Sequence, residues 1–286
     1  MNKIIIETLD HITVCYYKYV ESVKLMIQEH YDTPEYDNTI IFINILPNYT
    51  PFYGCMGELF SRRIYYFLEH KVTNEYYNSR FYGSDEIYAD GMKCANITEM
   101  WTMDYRPQFA YRCEELLGIP VKYVPVRYTS LIKPVENIYT TPKGTDLCLV
   151  GCISKVYTPL RYDFMENFNN QKQISLKIVT QTDNIRSSII EMNTSKYIID
   201  IPREIEQLTQ NQVRIFELLC MGYTVCVKKS DINIFPGLIY EWNTVDDLIN
   251  IVKNCEYLSP AEAYKEMTYS DEAYNKYVNN LIKLQS

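Results

Sequence analysis

An α/β protein with two successive, mostly parallel sheets is the expected architecture. Apolar runs of strand length alternate with segments of helical period along the chain, the mark of repeated βα units. The alternation pauses over Thr129 to Gly144, where Pro134, Pro142 and Gly144 give the composition of an interdomain connection, and then restarts. At 286 residues the chain has room for one large or two modest domains, each able to fold without staples. A composition that is 47% hydrophobic, with 9 Gly and 12 Pro, excludes collagen-like and low-complexity chains. The expected organisation is residues 1–128 as one Rossmann-like domain, 129–144 as a linker and 145–268 as a second Rossmann-like domain. Residues 269–286 form a terminal helix placed to pack back on the first domain.

In the first half, Lys3 to Leu9 reads as a strand and Val14 to Glu29 as a helix. Thr39 to Leu46 follows as a nearly unbroken buried strand, through Ile40, Ile41, Phe42, Ile43, Ile45 and Leu46. After a turn-rich loop holding Pro47, Pro51, Gly54 and Gly57, Glu58 to His70 reads as a helix with Leu59, Ile64, Phe67 and Leu68 on one side. Ile97 to Trp101 is the next strand, Pro107 to Leu117 a helix stopped by Gly118, and Val121 to Val126 a further strand.

The second half begins with strand Asp146 to Val150, a loop at Gly151 to Thr158 and helix Leu160 to Asn169. Strand Ile174 to Thr180, helix Asn184 to Met192, strand Lys196 to Ile201 and helix Gln210 to Met221 continue the series, followed by strands Thr224 to Lys228 and Gly237 to Tyr240. Helix Val245 to Asn254 is marked at its start by Thr244 and Asp247 at capping-box spacing, and near its end by Lys253. Ser259 with Pro260 opens another helix, and Ser270 a last one with Tyr274, Tyr277, Val278 and Leu281 at helical spacing.

The charge balance narrows the function. With 28 Lys and Arg against 36 Asp and Glu the formal charge is −8, so attachment to a nucleic-acid backbone has no global support. An anionic ligand must be held locally, by a helix N-terminus or a few placed cations. The nine Cys show neither a CxxC pair nor His at metal-ligand spacing, so no metal site is expected and a reducing compartment fits best. The apolar run Ile4 to Ile6 is too short for a signal peptide, and no run approaches the roughly 20 apolar residues of a membrane span. The 28 Tyr are explained by an AT-rich coding sequence or by carbohydrate stacking, and with the Ile, Asn and Lys bias the former is the expectation, as in a parasite or large DNA virus. A cytoplasmic location, in the host if the source is viral, follows as an expectation.

Several enzyme classes lack their motifs. There is no G-x-G-x-x-G fingerprint, no Walker loop and no G-x-S-x-G elbow, so ordinary NAD binding, P-loop chemistry and the hydrolase elbow have no support. No Asp-x-Asp pair is present to hold a diphosphate through a metal. The informative segment is Asn211 to Lys228. In an otherwise apolar helix, Asn211, Arg214 and Glu217 recur every three residues and share one face. By spacing alone this stripe is equally an N-terminal cap followed by a solvated Arg214–Glu217 pair, with Gly222 as the left-handed residue after the helix.

The segment resembles the donor-binding domain of GT-B glycosyltransferases, especially family 1-like and family 4-like proteins. Their pattern N-x-x-R-x-F-E, a small-residue helix end, Gly and a β-branched strand is matched at Asn211, Arg214, Phe216, Glu217, Gly222 and Val225. The helix start Val245-Asp-Asp-Leu248 and the block from Ile97 to Tyr128 are similar to further parts of that fold. The resemblance implies two Rossmann-like domains with mostly parallel sheets facing across a cleft. It also implies a glycosyltransferase of the hexosyltransferase type, moving a sugar from a nucleotide-diphosphate sugar, as co-substrate without a further cofactor, to a hydroxyl of a glycan or glycoconjugate. The carboxylate of Glu217 would accept from the ribose hydroxyls, since it offers two acceptors to a vicinal diol. Arg214 and Asn211 stand beside it, Gly151, Ser154 and Lys155 lie where the diphosphate is contacted, and Gln181 lines the base pocket by analogy of fold.

The E-x7-E pattern of retaining members is broken, because Thr209 occupies the first Glu position while Glu204 and Glu206 fall out of register. Inversion by a general base in the first half is then the default. His11 after the first strand, with Asp10 to orient it or to act itself, is the leading candidate, and Glu58 the next. The rival reading is a non-catalytic GT-B-like protein that binds a partner or glycan. A nicotinamide-dependent epimerase ranks lower without the glycine fingerprint.

Overall fold

In the computed structural model the described residues are 4–8, 14–43, 59–68, 93, 96–103, 114–138, 140–156, 158–179, 185–202, 212–230 and 232–284. They form two five-stranded parallel sheets, each flanked by helices, as expected of two Rossmann-like folds. The chain divides into one unit of residues 1–126 and 275–286 and a second of residues 127–274.

The first unit contains β1 (Ile5–Thr8), α1 (Val14–Tyr31), β2 (Thr39–Ile43), β3 (Arg62–Phe67), β4 (Glu99–Thr102) and β5 (Val121–Tyr123). Its strands lie in sequential order, β1-β2-β3-β4-β5, all parallel. Ile40, Phe42, Tyr65, Phe67 and Met100 form one core cluster. Tyr31, Tyr36 and Tyr66 surround Trp101, with ring centroids 4.9 to 5.8 Å from it. The expected helix from Glu58 to His70 is corrected: residues 62–67 are a strand. The run Ile64-Tyr-Tyr-Phe67 is apolar on both faces, and all four side chains are buried between β2 and β4.

At the amino ends of β3 and β4, Glu99 accepts from Arg62 (2.7 Å) and from the indole of Trp101 (2.6 Å), and pairs with Lys122 at 3.1 Å. Burial alone would raise the Glu99 carboxyl. The bonds from Trp101, Arg62 and Lys122 outweigh it and hold the group below its ordinary value.

The second unit contains β6 (Thr145–Val150), α2 (Pro159–Phe168), β7 (Leu176–Val179), α3 (Ile185–Asn193), β8 (Ser195–Asp200), α4 (Gln212–Cys220), β9 (Val225–Lys228), β10 (Ile239–Trp242), α5 (Val245–Asn254) and α6 (Pro260–Thr268). A last helix, α7 (Asp271–Lys283), begins in this unit. The strand order is β10-β9-β8-β6-β7, all parallel. Leu147, Leu149, Ile199 and Cys226 from the sheet meet Phe164 and Phe168 of α2 and Leu248, Ile249 and Ile251 of α5 in one cluster, so α2 and α5 cover the same face. The capping box at the start of α5 forms: Thr244 accepts from the Asp247 amide at 3.2 Å, and Asp247 accepts from the Thr244 amide at 2.9 Å.

Candidate functional site

From β6 the chain runs outward to β7 and then returns past β6 to β8. The connections after β6 and β8 therefore leave in opposite directions. In open parallel sheets the carboxyl end of such a reversal is where ligands bind. The described strands of the first sheet, being sequential, have no such reversal.

Two buried guanidinium groups meet at this reversal. Arg214, in the first turn of α4, donates from Nη2 to the carbonyl of Val150, the last residue of β6. Its Nη1 lies 3.2 Å from Oδ1 of Asp200, the last residue of β8, with side chains 6% and 2% exposed. Arg161, from the first turn of α2, donates from Nε to the carbonyl of Ile201 at 3.0 Å and from Nη1 to that of Cys152 at 3.3 Å. The ends of β6 and β8 are thus fastened to the helices that follow them. Gly151 sits between the two cations at φ +143°, a conformation that disfavours a side chain. A Cβ there would stand 2.9 Å from Arg161 Nη1 and 3.9 Å from Arg214 Nη1.

Arg214 is not the solvated residue that spacing allowed. Arg214 is 5% exposed and pairs with Asp200, because α4 is buried around its circumference and its first turn meets the sheet edge. Of the nine residues of α4, eight are buried, and Glu217 alone is half-buried. A carboxylate in a helix of this composition is costly to desolvate unless it serves a partner or a ligand.

The loop after β6 is shaped by hydroxyls. The Ser154 amide donates to Thr158 Oγ1 at 2.7 Å, and Ser154 Oγ accepts from the Val156 amide at 3.3 Å. Lys155 is exposed, with Nζ 5.8 Å from the Tyr162 ring centroid. Gly151, Arg214 and the Ser154–Lys155 turn therefore belong to one sheet edge. Asp10, His11, Glu58, Gln181 and Asn211 lie outside the described residues, as does Thr209. Cys148, inside β6, is buried, and burial pushes its thiol up to about 11, as befits a small apolar side chain.

Sequence reasoning missed Asp200 and Arg161. The only available signal for Asp200 was an acidic residue closing the apolar strand Tyr197-Ile-Ile-Asp200. Among the described residues no three His, Cys, Asp or Glu side chains gather as a metal-ion site. None of the described helices is long and apolar enough to cross a membrane.

No protein-family model matches the chain, and no curated protein matches it. Among solved structures it is similar to the apo form of the lipopolysaccharide outer core galactosyltransferase WaaB. The identity is 11% over 97% of this chain and 83% of that one, with a TM-score of 0.42. It is similar also to the pneumococcal O-GlcNAc transferase GtfA in complex with UDP and GlcNAc, at 8% identity and a TM-score of 0.39. That match covers 93% of this chain and 56% of the other, so this chain spans little more than half of GtfA. A third similarity is to the glycosyltransferase SnogD from Streptomyces nogalater, at 8% identity over 97% of this chain and 77% of that one, with a TM-score of 0.32.

Proposed function

We propose that the chain is a glycosyltransferase that moves a sugar from a nucleotide-diphosphate sugar to an acceptor hydroxyl, holding the donor at the β6–β8 edge. The observation that carries this reading is Glu217: the one residue of α4 not buried, on a helix whose first turn is fastened to the strand reversal. Glu217 accepts from the ribose hydroxyls. Arg214 lies beside the Gly151 turn, where with Lys155, Ser154 and Asn211 it forms the diphosphate side, and Gln181 lines the base. Residues 1–128 form the acceptor-side domain, 129–144 the linker, 145–268 the donor domain, and 269–286 the helix that packs back.

In this reading the acceptor hydroxyl attacks the anomeric carbon, its proton passing to His11, Asp10 or Glu58. The diphosphate departs with its charge met by backbone N–H groups and cations, without a divalent metal. The acceptor is a glycan or glycoconjugate, and the setting is cytoplasmic. The experiment is a thermal-shift and calorimetric screen of UDP-, GDP- and dTDP-sugars on the native chain and on Glu217→Ala. Two charge-assisted bonds to a ribose diol contribute roughly 1.5–3 kcal/mol each, so a loss of about a hundredfold or more in affinity is expected with the fold retained. Equal affinity in both proteins refutes the role of Glu217. Binding without donor hydrolysis or transfer selects the non-catalytic reading, which Thr209 at the first Glu position favours.

A further inference from the structure

The loop that joins β6 to α2 is held from its far end by two buried side chains, Thr158 and Arg161. Thr158 stands at the N-terminal boundary of α2, yet its hydroxyl caps none of the helix amides. It turns back on the loop instead. Its Oγ1 accepts from the Ser154 amide at 2.7 Å and shares its proton between the carbonyls of Cys152 and Ser154, each 3.2 Å away. The Ser154 carbonyl takes a second bond from the Thr158 amide at 2.9 Å, and the Cys152 carbonyl a second from Arg161 Nη1 at 3.3 Å. Arg161 Nε meanwhile donates to the Ile201 carbonyl just past β8, at 3.0 Å, so one planar guanidinium sets the loop against the neighbouring strand end.

These bonds fix the direction of two peptide units. The peptide bonds are trans, and in a planar trans peptide the N–H points opposite to the C=O of the same unit. With the Cys152 and Ser154 carbonyls drawn inward onto Thr158 and Arg161, the amides of Ile153 and Lys155 are turned the other way. Neither amide has a hydrogen-bond partner among the described residues. Ile153 is anchored at the same time, its side chain packed against the core cluster under α2 and α5. The loop thus satisfies its acceptors internally and presents donors outward, a polarity that suits an anion. We propose that Thr158 and Arg161 are positioning residues of the donor site: they aim the Ile153 and Lys155 amides at the diphosphate and act on the donor through that loop. The inference rests on the donor reading above and adds to it two residues that lie outside the N-x-x-R-x-F-E pattern. In this role it is the fork of Arg161 that matters, not its charge.

The native chain, Thr158→Val and Arg161→Lys are titrated with UDP, GDP and dTDP and, in parallel, with uridine, guanosine and thymidine. Thr158→Val keeps the shape of the side chain and removes the hydroxyl, and Arg161→Lys keeps the charge and removes the planar fork. Each should weaken the nucleoside diphosphate by about tenfold or more, the measure of one charge-assisted bond, and leave its nucleoside unchanged. Thr158→Ser, which keeps the hydroxyl, should bind the diphosphate as the native chain does. If a variant fails to fold, amide-resolved hydrogen exchange on the native chain gives the same reading: the nucleoside diphosphate should slow exchange at Ile153 and Lys155, and its nucleoside should not. Equal diphosphate affinity in the native chain and both variants, a parallel loss of nucleoside and diphosphate, or no added protection at those two amides overturns the proposal. A native chain that binds no nucleoside diphosphate overturns this and the donor reading alike. Diphosphate binding that falls in Glu217→Ala but in neither Thr158→Val nor Arg161→Lys overturns this one alone.

Discussion

Replacing Asp200 by Asn keeps the shape of the side chain and removes its charge, leaving Arg214 buried opposite a neutral amide. The pair is 3.2 Å apart with side chains 2% and 6% exposed, so little solvent screens it. Removing one partner of such a pair costs about 3–5 kcal/mol, mostly because the remaining charge stays desolvated. Arg214 keeps its bond to the Val150 carbonyl, which places the expected loss at the lower end, about 3 kcal/mol. That is a large share of the roughly 5–15 kcal/mol that holds a domain together. At about 2–4 °C per kcal/mol for a unit of this size, the midpoint should fall by about 6–12 °C. Fluorescence-detected thermal and urea unfolding in a Trp101→Phe background reads the second unit through Trp242. Asp200→Asn combined with Arg214→Met removes both charges and should recover more than half of the loss, by the logic of a double-mutant cycle. An unchanged midpoint in Asp200→Asn, or a double variant as unstable as the two single losses added, refutes the argument that this pair holds the edge of the sheet.

Two further outcomes follow from the same physics. Arg127, 2% exposed, donates to the carbonyls of Thr268 (3.0 Å) and Tyr269, pairs with Asp271 at 2.9 Å and lies 4.3 Å from the Tyr274 ring centroid. Arg127→Met should cost roughly 3 kcal/mol through lost charge-assisted bonds and strip hydrogen-exchange protection from residues 260–274; full protection there would contradict the clamp. For Glu99, whose carboxyl is held below its ordinary value in the folded chain, the stabilisation is present above the unfolded value and lost as pH falls through the folded one. The stability difference between the native chain and Glu99→Gln should therefore be flat near neutrality and shrink in that acid window, measured by urea unfolding at stepped pH; a difference that grows on acidification counts against it.

Central strands of the second sheet were legible because they hold continuous apolar runs, as in Leu147-Cys-Leu-Val150 and Val225-Cys-Val227. The start of α5 was legible because a capping box is a local code, four residues wide, that tertiary contacts did not have to complete. The stretch from Glu58 to His70 was misread because Leu59, Ile64, Phe67 and Leu68 satisfy a helical period while Ile64 to Phe67 equally satisfies a strand buried on both faces. Periodicity cannot separate the two when every position is apolar. Pairing on both sides, with β2 and with β4, decides it.

The site was only half legible, for a reason of topology. A polar residue every third position on an apolar helix records that one face is polar, not whether that face meets water or the ends of strands. Arg214 and Glu217 share the stripe, yet Arg214 is buried against Asp200 and Val150 while Glu217 is half-buried. What separates them is the order β8-β6-β7, which brings two strand ends and Gly151 to Arg214 in the first turn of α4. Strand order is set by contacts distant in sequence, so Asp200 and Arg161, whose roles exist only because of that order, carry no local mark. Within the pattern, Arg214 builds the edge through Asp200 and Val150, whereas Glu217 stays half-buried one turn on. Loss of Arg214 should accordingly act on stability, because both strand ends lose the group that ties them to α4.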